Sequence, residues 1–215
     1  MPPDKNISVE TEGKIETILK AAQKRLGIYG YDKTTMQEIA EDISMSKAAL
    51  YYYFPDKERL FRAVLENEQK EYFLLLEQKI STTTAADQLI MELVELRHSL
   101  FRRFLNLGKF RLTDHHKVKP MLQDLYMKLR ENENNILATL FKKGKESGIF
   151  ILDDSVELAL LYSDMLQGIR MIEMKRMTHI EMTDAENDRL FCMLRKASQI
   201  FLNGLKYNAI TNSTL

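Results

Sequence analysis

Apolar residues in the first part of the chain recur at helical spacing. Ile15, Ile18, Leu19, Ala22 and Leu26 share one face, and the run stops at Gly30-Tyr31, where glycine can take the positive-φ backbone that ends a helix. Thr35-Met36-Gln37-Glu38 reads as a capping box that opens a short helix with a buried stripe of Met36, Ile39, Ala40 and Ile43. Ser44-Met45 makes a turn, Ser46 is placed to cap a third helix, and Pro55 must end it. Asp56 caps a fourth helix over 57–80, and Ser81-Thr82-Thr83-Thr84 breaks the pattern after it. The next helix carries Leu89, Ile90, Leu93, Leu100, Phe101 and Phe104 and ends at Gly108. A poorly periodic stretch over 113–119 precedes a long helix that Pro120 opens and Gly148 closes. Asp153 or Asp154 caps a helix reaching about Lys175, and Thr183-Asp184-Ala185-Glu186 is a second capping box that starts a final helix to about Asn208. The pattern predicts an all-α fold of about nine helices.

The third predicted helix divides by geometry. At 3.6 residues per turn Leu50 and Phe54 stack on one side with Ala49 and Tyr53 beside them, whereas Lys47, Ala48, Tyr51 and Tyr52 lie opposite. Leu50 and Phe54 read as core of a three-helix unit. The other aromatics cannot share that face, and exposed tyrosines beside a lysine suit DNA. A phenol donates to a phosphate oxygen while its ring packs on a sugar or a thymine methyl, and the small Ala48 and Ala49 let a helix seat deeply in the major groove. Lys57, at the start of the fourth helix, adds a cation where free N–H groups favour phosphate.

Composition narrows the class. Eight Gly and four Pro in 215 residues leave little turn material, in keeping with long helices and short connections. Cys192, the one cysteine, cannot form an internal disulfide and reads as a small buried apolar residue in the run LFCMLRKA. Neither the N-terminal segment nor any later run is apolar enough to serve as a signal peptide or a membrane span, so a cytoplasmic protein without membrane partners is expected. Net charge is zero, and residues 1–62 balance as well, so bulk charge does not announce nucleic acid.

Residues 18–60, ILKAAQKRLGIYGYDKTTMQEIAEDISMSKAALYYYFPDKERL, resemble the DNA-binding signature of the tetracycline-repressor (TetR) family. The correspondence runs through Ile18-Leu19, Ala21-Ala22, Gly30-Tyr31, Thr34-Thr35, Ile39-Ala40, Ser46, Leu50-Tyr51, Phe54 and Lys57-Glu58. The resemblance implies that Lys47, Ala48 and Tyr52 face bases, while Thr35, Tyr51, Tyr53 and Lys57 face the backbone. Two departures stand out: Ser44 occupies a position where the family usually has a turn glycine, and Ala48-Ala49 one where it often has glycine and threonine. The resemblance further implies a helix-turn-helix domain over 8–56 and a larger ligand-binding and dimerisation domain over 57–210, with helix 57–80 linking the two. A homodimer formed by the last two helices is expected to bind a palindromic operator as a repressor that a small molecule releases. No catalytic role and no cofactor are expected; a helical carrier or enzyme is the alternative.

The last two helices show periodic faces of Leu158, Leu161, Met165, Ile169 and Ile172, and of Leu190, Leu194, Ala197, Phe201 and Leu205, which monomer core and dimer bundle are expected to share. Phe101, Phe104, Met121, Tyr126 and Met165 are candidates for lining a ligand cavity, with ordinary core packing as the alternative. His98, His115 and His116 lack carboxylates or thiolates at ligand spacing and read as loop or surface histidines. Lys142-Lys143-Gly144-Lys145-Glu146 lacks the first glycine and the Ser/Thr of a phosphate loop.

Overall fold

Local hydrogen bonds close the helices where capping residues stand. The computed structural model describes residues 5–108, 119–176 and 182–206, and over these the chain forms eight helices and no strand. They are α1 (Lys5–Lys33), α2 (Met36–Asp42), α3 (Lys47–Tyr53), α4 (Lys57–Thr82), α5 (Ala86–Gly108), α6 (Lys119–Glu146), α7 (Ser155–Arg176) and α8 (Asp184–Leu205). The Asp56 carboxylate accepts from the Arg59 amide at 2.7 Å, and that of Asp154 from the Val156 amide at 2.7 Å. Thr183 and Glu186 form the capping box of α8, as Thr35 and Glu38 do for α2. No helix among the described residues is long and apolar enough to cross a membrane.

The chain divides into two compact units. The first comprises Met1–Glu71 and Leu100–Gln123, the second Tyr72–Ser99 and Asp124–Leu215. In the first, Ile18, Leu26, Ile39, Leu50, Leu60 and Phe61 are buried, and the Tyr31 ring packs on Phe61 at 4.8 Å. Glu68 of α4 is buried there between the Gln23 amide and the Arg103 guanidinium, which stands at 2.9 Å. α1 breaks at Gly30, whose φ of 78° and ψ of 173° suit glycine and few other residues. The second unit holds an aromatic core of Phe141, Phe150, Tyr162 and Phe201. Gly144 lies directly under Phe150: a Cβ there would meet the ring at 2.1 Å, so the glycine of the lysine-rich stretch is there for packing.

α2 ends on a crossed pair of bonds, Met45 N–H to the Ala40 carbonyl at 2.8 Å and Ser44 N–H to the Glu41 carbonyl at 3.1 Å. This closure puts residue 44 in the left-handed region, and Ser44 (φ 53°) is the one non-glycine residue with positive φ among those described. A Cβ in that region costs roughly 1–2 kcal/mol, partly offset by the greater freedom of an unfolded glycine. Ser44→Gly is therefore expected to raise stability by about 0.5–1 kcal/mol. Urea unfolding checks this, and an unchanged or lower midpoint would show that the turn carries no strain.

Several expectations change. The inward face of α7 is Ala159, Tyr162, Leu166, Arg170 and Glu173, whereas Leu161 (58% exposed) and Ile172 (52%) of the more apolar stripe point outward. Leu190 and Leu194 of α8 are buried as the spacing implies. Cys192 is exposed, because it stands two residues from each of these and so falls on the far side of α8. His98 is buried within α5, its ring stacked on Phe191 at 4.8 Å, and is no surface residue. Phe54 is half-buried where full burial is expected, because it caps α3 in extended backbone (φ −131°, ψ 103°). His115 and His116 lie outside the described residues.

Candidate nucleic-acid interface and a buried polar cluster

Two caps fix the approach of α3. The Thr35 hydroxyl accepts from the Glu38 amide at 3.3 Å, while the Glu38 carboxylate accepts from the Thr35 amide at 2.9 Å. The Ser46 hydroxyl accepts from the Ala49 amide at 3.1 Å, starting α3 one residue later. Arg25 of α1 clamps the end of α2 through two parallel bonds to Asp42, Nε at 2.7 Å and Nη2 at 2.8 Å. Asp42 and Glu38 both keep their carboxyls below the usual range, through hydrogen bonds from Arg25 and Thr35 respectively.

With Leu50 fully buried, the opposite side of α3 faces outward. Lys47, Ala48, Tyr51 and Tyr52 are exposed, Tyr52 to 84%. Tyr53 is half-buried and meets the Tyr52 ring edge-on at 5.3 Å, while the Lys47 ammonium lies 5.9 Å from the centre of the Tyr51 ring. Thr35 is exposed at the cap of α2, with its hydroxyl donating to Glu38 at 2.8 Å. This unit therefore presents a helix whose outer face is aromatic and cationic, with small alanine between.

Lys57 is held within its own unit. Its ammonium donates to the Tyr31 carbonyl at 2.9 Å and the Thr34 carbonyl at 3.1 Å, and lies 4.3 Å from the Tyr31 ring centre. It thus ties the start of α4 to the break in α1. Burial lowers its pKa, against a smaller opposing pull from Asp32. On α1 and the end of α2, a groove of about 600 Å³ lined by Lys24, Arg25, Tyr29, Asp42 and Ile43 holds none of the sequence candidates.

The sequence candidates for a ligand cavity are divided between the units. Phe101 and Met121 belong to the first, Tyr126 and Met165 to the second, and the Phe104 side chain lies outside the described residues. Met121 is buried; Phe101, Tyr126 and Met165 are half-buried.

Sequence reading misses a polar cluster inside the second unit. Glu133 of α6 accepts from the Tyr72 hydroxyl at 2.6 Å and from Arg97 Nε at 3.0 Å, all three groups buried. Burial, reinforced by Glu133, pushes the Tyr72 phenol well above its usual pKa. Arg170 of α7 is 5% exposed, and Arg97, Glu133, Tyr126 and Tyr72 all act on it electrostatically. Three turns along the inward stripe of α7, Arg170 falls where a helical period expects an apolar residue, and that mismatch is the signal the sequence offered. Glu173, one turn further, is buried between Arg176 at 2.7 Å and Arg189 at 2.5 Å.

The sequence profile described as "Bacterial regulatory proteins, tetR family" matches residues 18–64, and that of "QacR-like protein, C-terminal region" matches residues 77–207. A crystal structure of a transcriptional regulator from Cytophaga hutchinsonii superposes with a TM-score of 0.85 at 36% identity, covering 91% of this chain and all of that one. The HTH-type transcriptional regulator QacR of Staphylococcus aureus is 28% identical over 194 residues, 88% of this chain and 97% of that protein. The nucleoid occlusion factor SlmA of Idiomarina loihiensis is 25% identical over 158 residues, 69% of this chain and 79% of that protein.

Proposed function

The chain belongs to the tetR family of bacterial regulatory proteins, with a QacR-like C-terminal region, and we propose that it is a homodimeric repressor released from a palindromic operator by a small-molecule effector. It is a DNA-binding transcriptional regulator with a helix-turn-helix formed by α2 and α3. The observation that carries the reading is the outward aromatic face of α3, above all Tyr52. In this reading Lys47, Ala48 and Tyr52 meet base edges, whereas Thr35, Tyr51, Tyr53 and Lys57 meet the phosphate backbone. The outward apolar positions Leu160, Leu161, Met171 and Ile172 of α7, with Met193 and Ile200 of α8, supply a dimer interface opposite the inward stripes. α4 carries the effector's signal: Leu60 and Phe61 belong to the core of the DNA-binding unit, and Tyr72 on the same helix bonds Glu133 in the polar cluster.

Two substitutions separate specificity from affinity. Tyr52→Ala is expected to cost about 1–3 kcal/mol on the true operator and little on random DNA. Lys57→Met should weaken binding to every sequence and reduce the salt slope by about one unit. Because Lys57 also holds the Tyr31 and Thr34 carbonyls, the same variant should melt earlier. Fluorescence anisotropy with the gene's own upstream DNA across a salt series reads both; equal losses on operator and random DNA for Tyr52→Ala would show that α3 does not read bases.

A further inference from the structure

Arg170 is buried with one edge of its guanidinium unmatched by the described residues. Among the described residues neither its Nε nor its Nη2 finds a hydrogen-bond acceptor. These two atoms form one edge of the guanidinium, with parallel N–H bonds. Arg25 uses the same edge to grip both oxygens of Asp42. The charges around Arg170 do not balance either. Two cations, Arg97 and Arg170, share one anion, Glu133, whose oxygens are already taken by Tyr72 and Arg97. Among the described residues that act on it, one positive charge is left over, in a unit where Leu76, Leu129, Leu137 and Leu166, each one turn from a member of the cluster, are buried.

We propose that Arg170 anchors an organic monocarboxylate, gripping both carboxylate oxygens through its Nε–Nη2 edge while the apolar body of the molecule lies among the surrounding leucines. This rests on the reading of the second unit as effector-binding and names the chemical class of the effector. A carboxylate supplies the missing single negative charge and the planar, two-oxygen geometry that the free edge matches. Burial lowers the Arg170 pKa to about 10, with Arg97 next in effect, so the group is still charged at neutral pH and needs a counter-ion there. A quaternary ammonium would add a second uncompensated charge. A neutral alcohol would leave the first in place.

The test uses the full-length protein and four probes of equal chain length: octanoate, octyl phosphate, octanol and octyltrimethylammonium. Calorimetric titration is expected to show octanoate binding, octyl phosphate binding more weakly, and no saturable binding of the other two. Arg170→Met should weaken octanoate roughly 100-fold, and Arg170→Lys, which keeps the charge but loses the fork, about 10-fold. The unliganded Arg170→Met protein should melt at the same or a higher temperature, because an unpaired buried charge has been removed. That measurement also shows that the variant is folded. Octanoate affinity unchanged in Arg170→Met, or no octanoate binding to the wild type at millimolar concentration, overturns the proposal. Tighter binding of octyl phosphate than octanoate overturns the assignment to a carboxylate. Binding of octyltrimethylammonium alone, with release of operator DNA, overturns the anionic class and leaves the effector-responsive regulator standing.

Discussion

Glu133→Ala is expected to destabilise the protein by about 3–5 kcal/mol, the range for removing one partner of a buried ion pair. The carboxylate is the acceptor for both the Tyr72 hydroxyl and Arg97 Nε, so its loss orphans two buried donors together. It also leaves Arg97 and Arg170 facing each other with no anion between them among the groups that act on Arg170. Glu133→Gln, which keeps an acceptor and loses the charge, should fall between. Replacing both partners, Arg97→Met with Glu133→Leu, should recover only the share due to Arg97, because the Tyr72 hydroxyl and Arg170 still lack the carboxylate. Urea unfolding of the wild type, Arg97→Met, Glu133→Leu and the double variant gives the coupling as a double-mutant cycle. A loss below about 1 kcal/mol for Glu133→Ala would mean that water reaches the cluster and replaces the carboxylate.

Breaking the dimer should cost more in function than in folding. Ile172→Glu with Ile200→Glu puts two charges on the outward faces of α7 and α8, where the native side chains are 52% and 66% exposed in the single chain. Exposed positions tolerate a charge, so the subunit itself should lose little stability. In a two-fold interface every substitution acts twice, and four carboxylates would have to be desolvated together. The expected result is a folded monomer by light scattering at micromolar concentration, with operator affinity reduced by about 100-fold or more as the second half-site contact ceases to be intramolecular. A variant that stays dimeric would place the interface elsewhere; a monomeric variant with full operator affinity would show that one α3 suffices.

The caps were legible because their chemistry is local. Thr35 and Glu38, Ser46 and Ala49, Asp56 and Arg59, and Thr183 and Glu186 are each three residues apart, so type and spacing alone determine the bond. The same holds for the break at Gly30 and the division of α3 into a buried Leu50 and an outward Tyr52, both consequences of backbone sterics and a 3.6-residue period, whereas the positive φ of Ser44 was signalled only by the glycine that the family usually has there. Only the tertiary structure decided which face of α7 turns inward. Hydrophobic periodicity reports that a face is covered and is silent about whether the chain's own core or a second copy covers it, so the stripe of Leu161 and Ile172 did not by itself say which positions turn inward. Nor could spacing reveal that Lys57 holds carbonyls 23 and 26 residues away, or that Glu133 joins Tyr72 and Arg97 across 61 and 36 residues. A buried charge is tolerated because of the groups that folding brings to it, and Arg170 is distinguished by an Nε–Nη2 edge to which the described residues bring no acceptor.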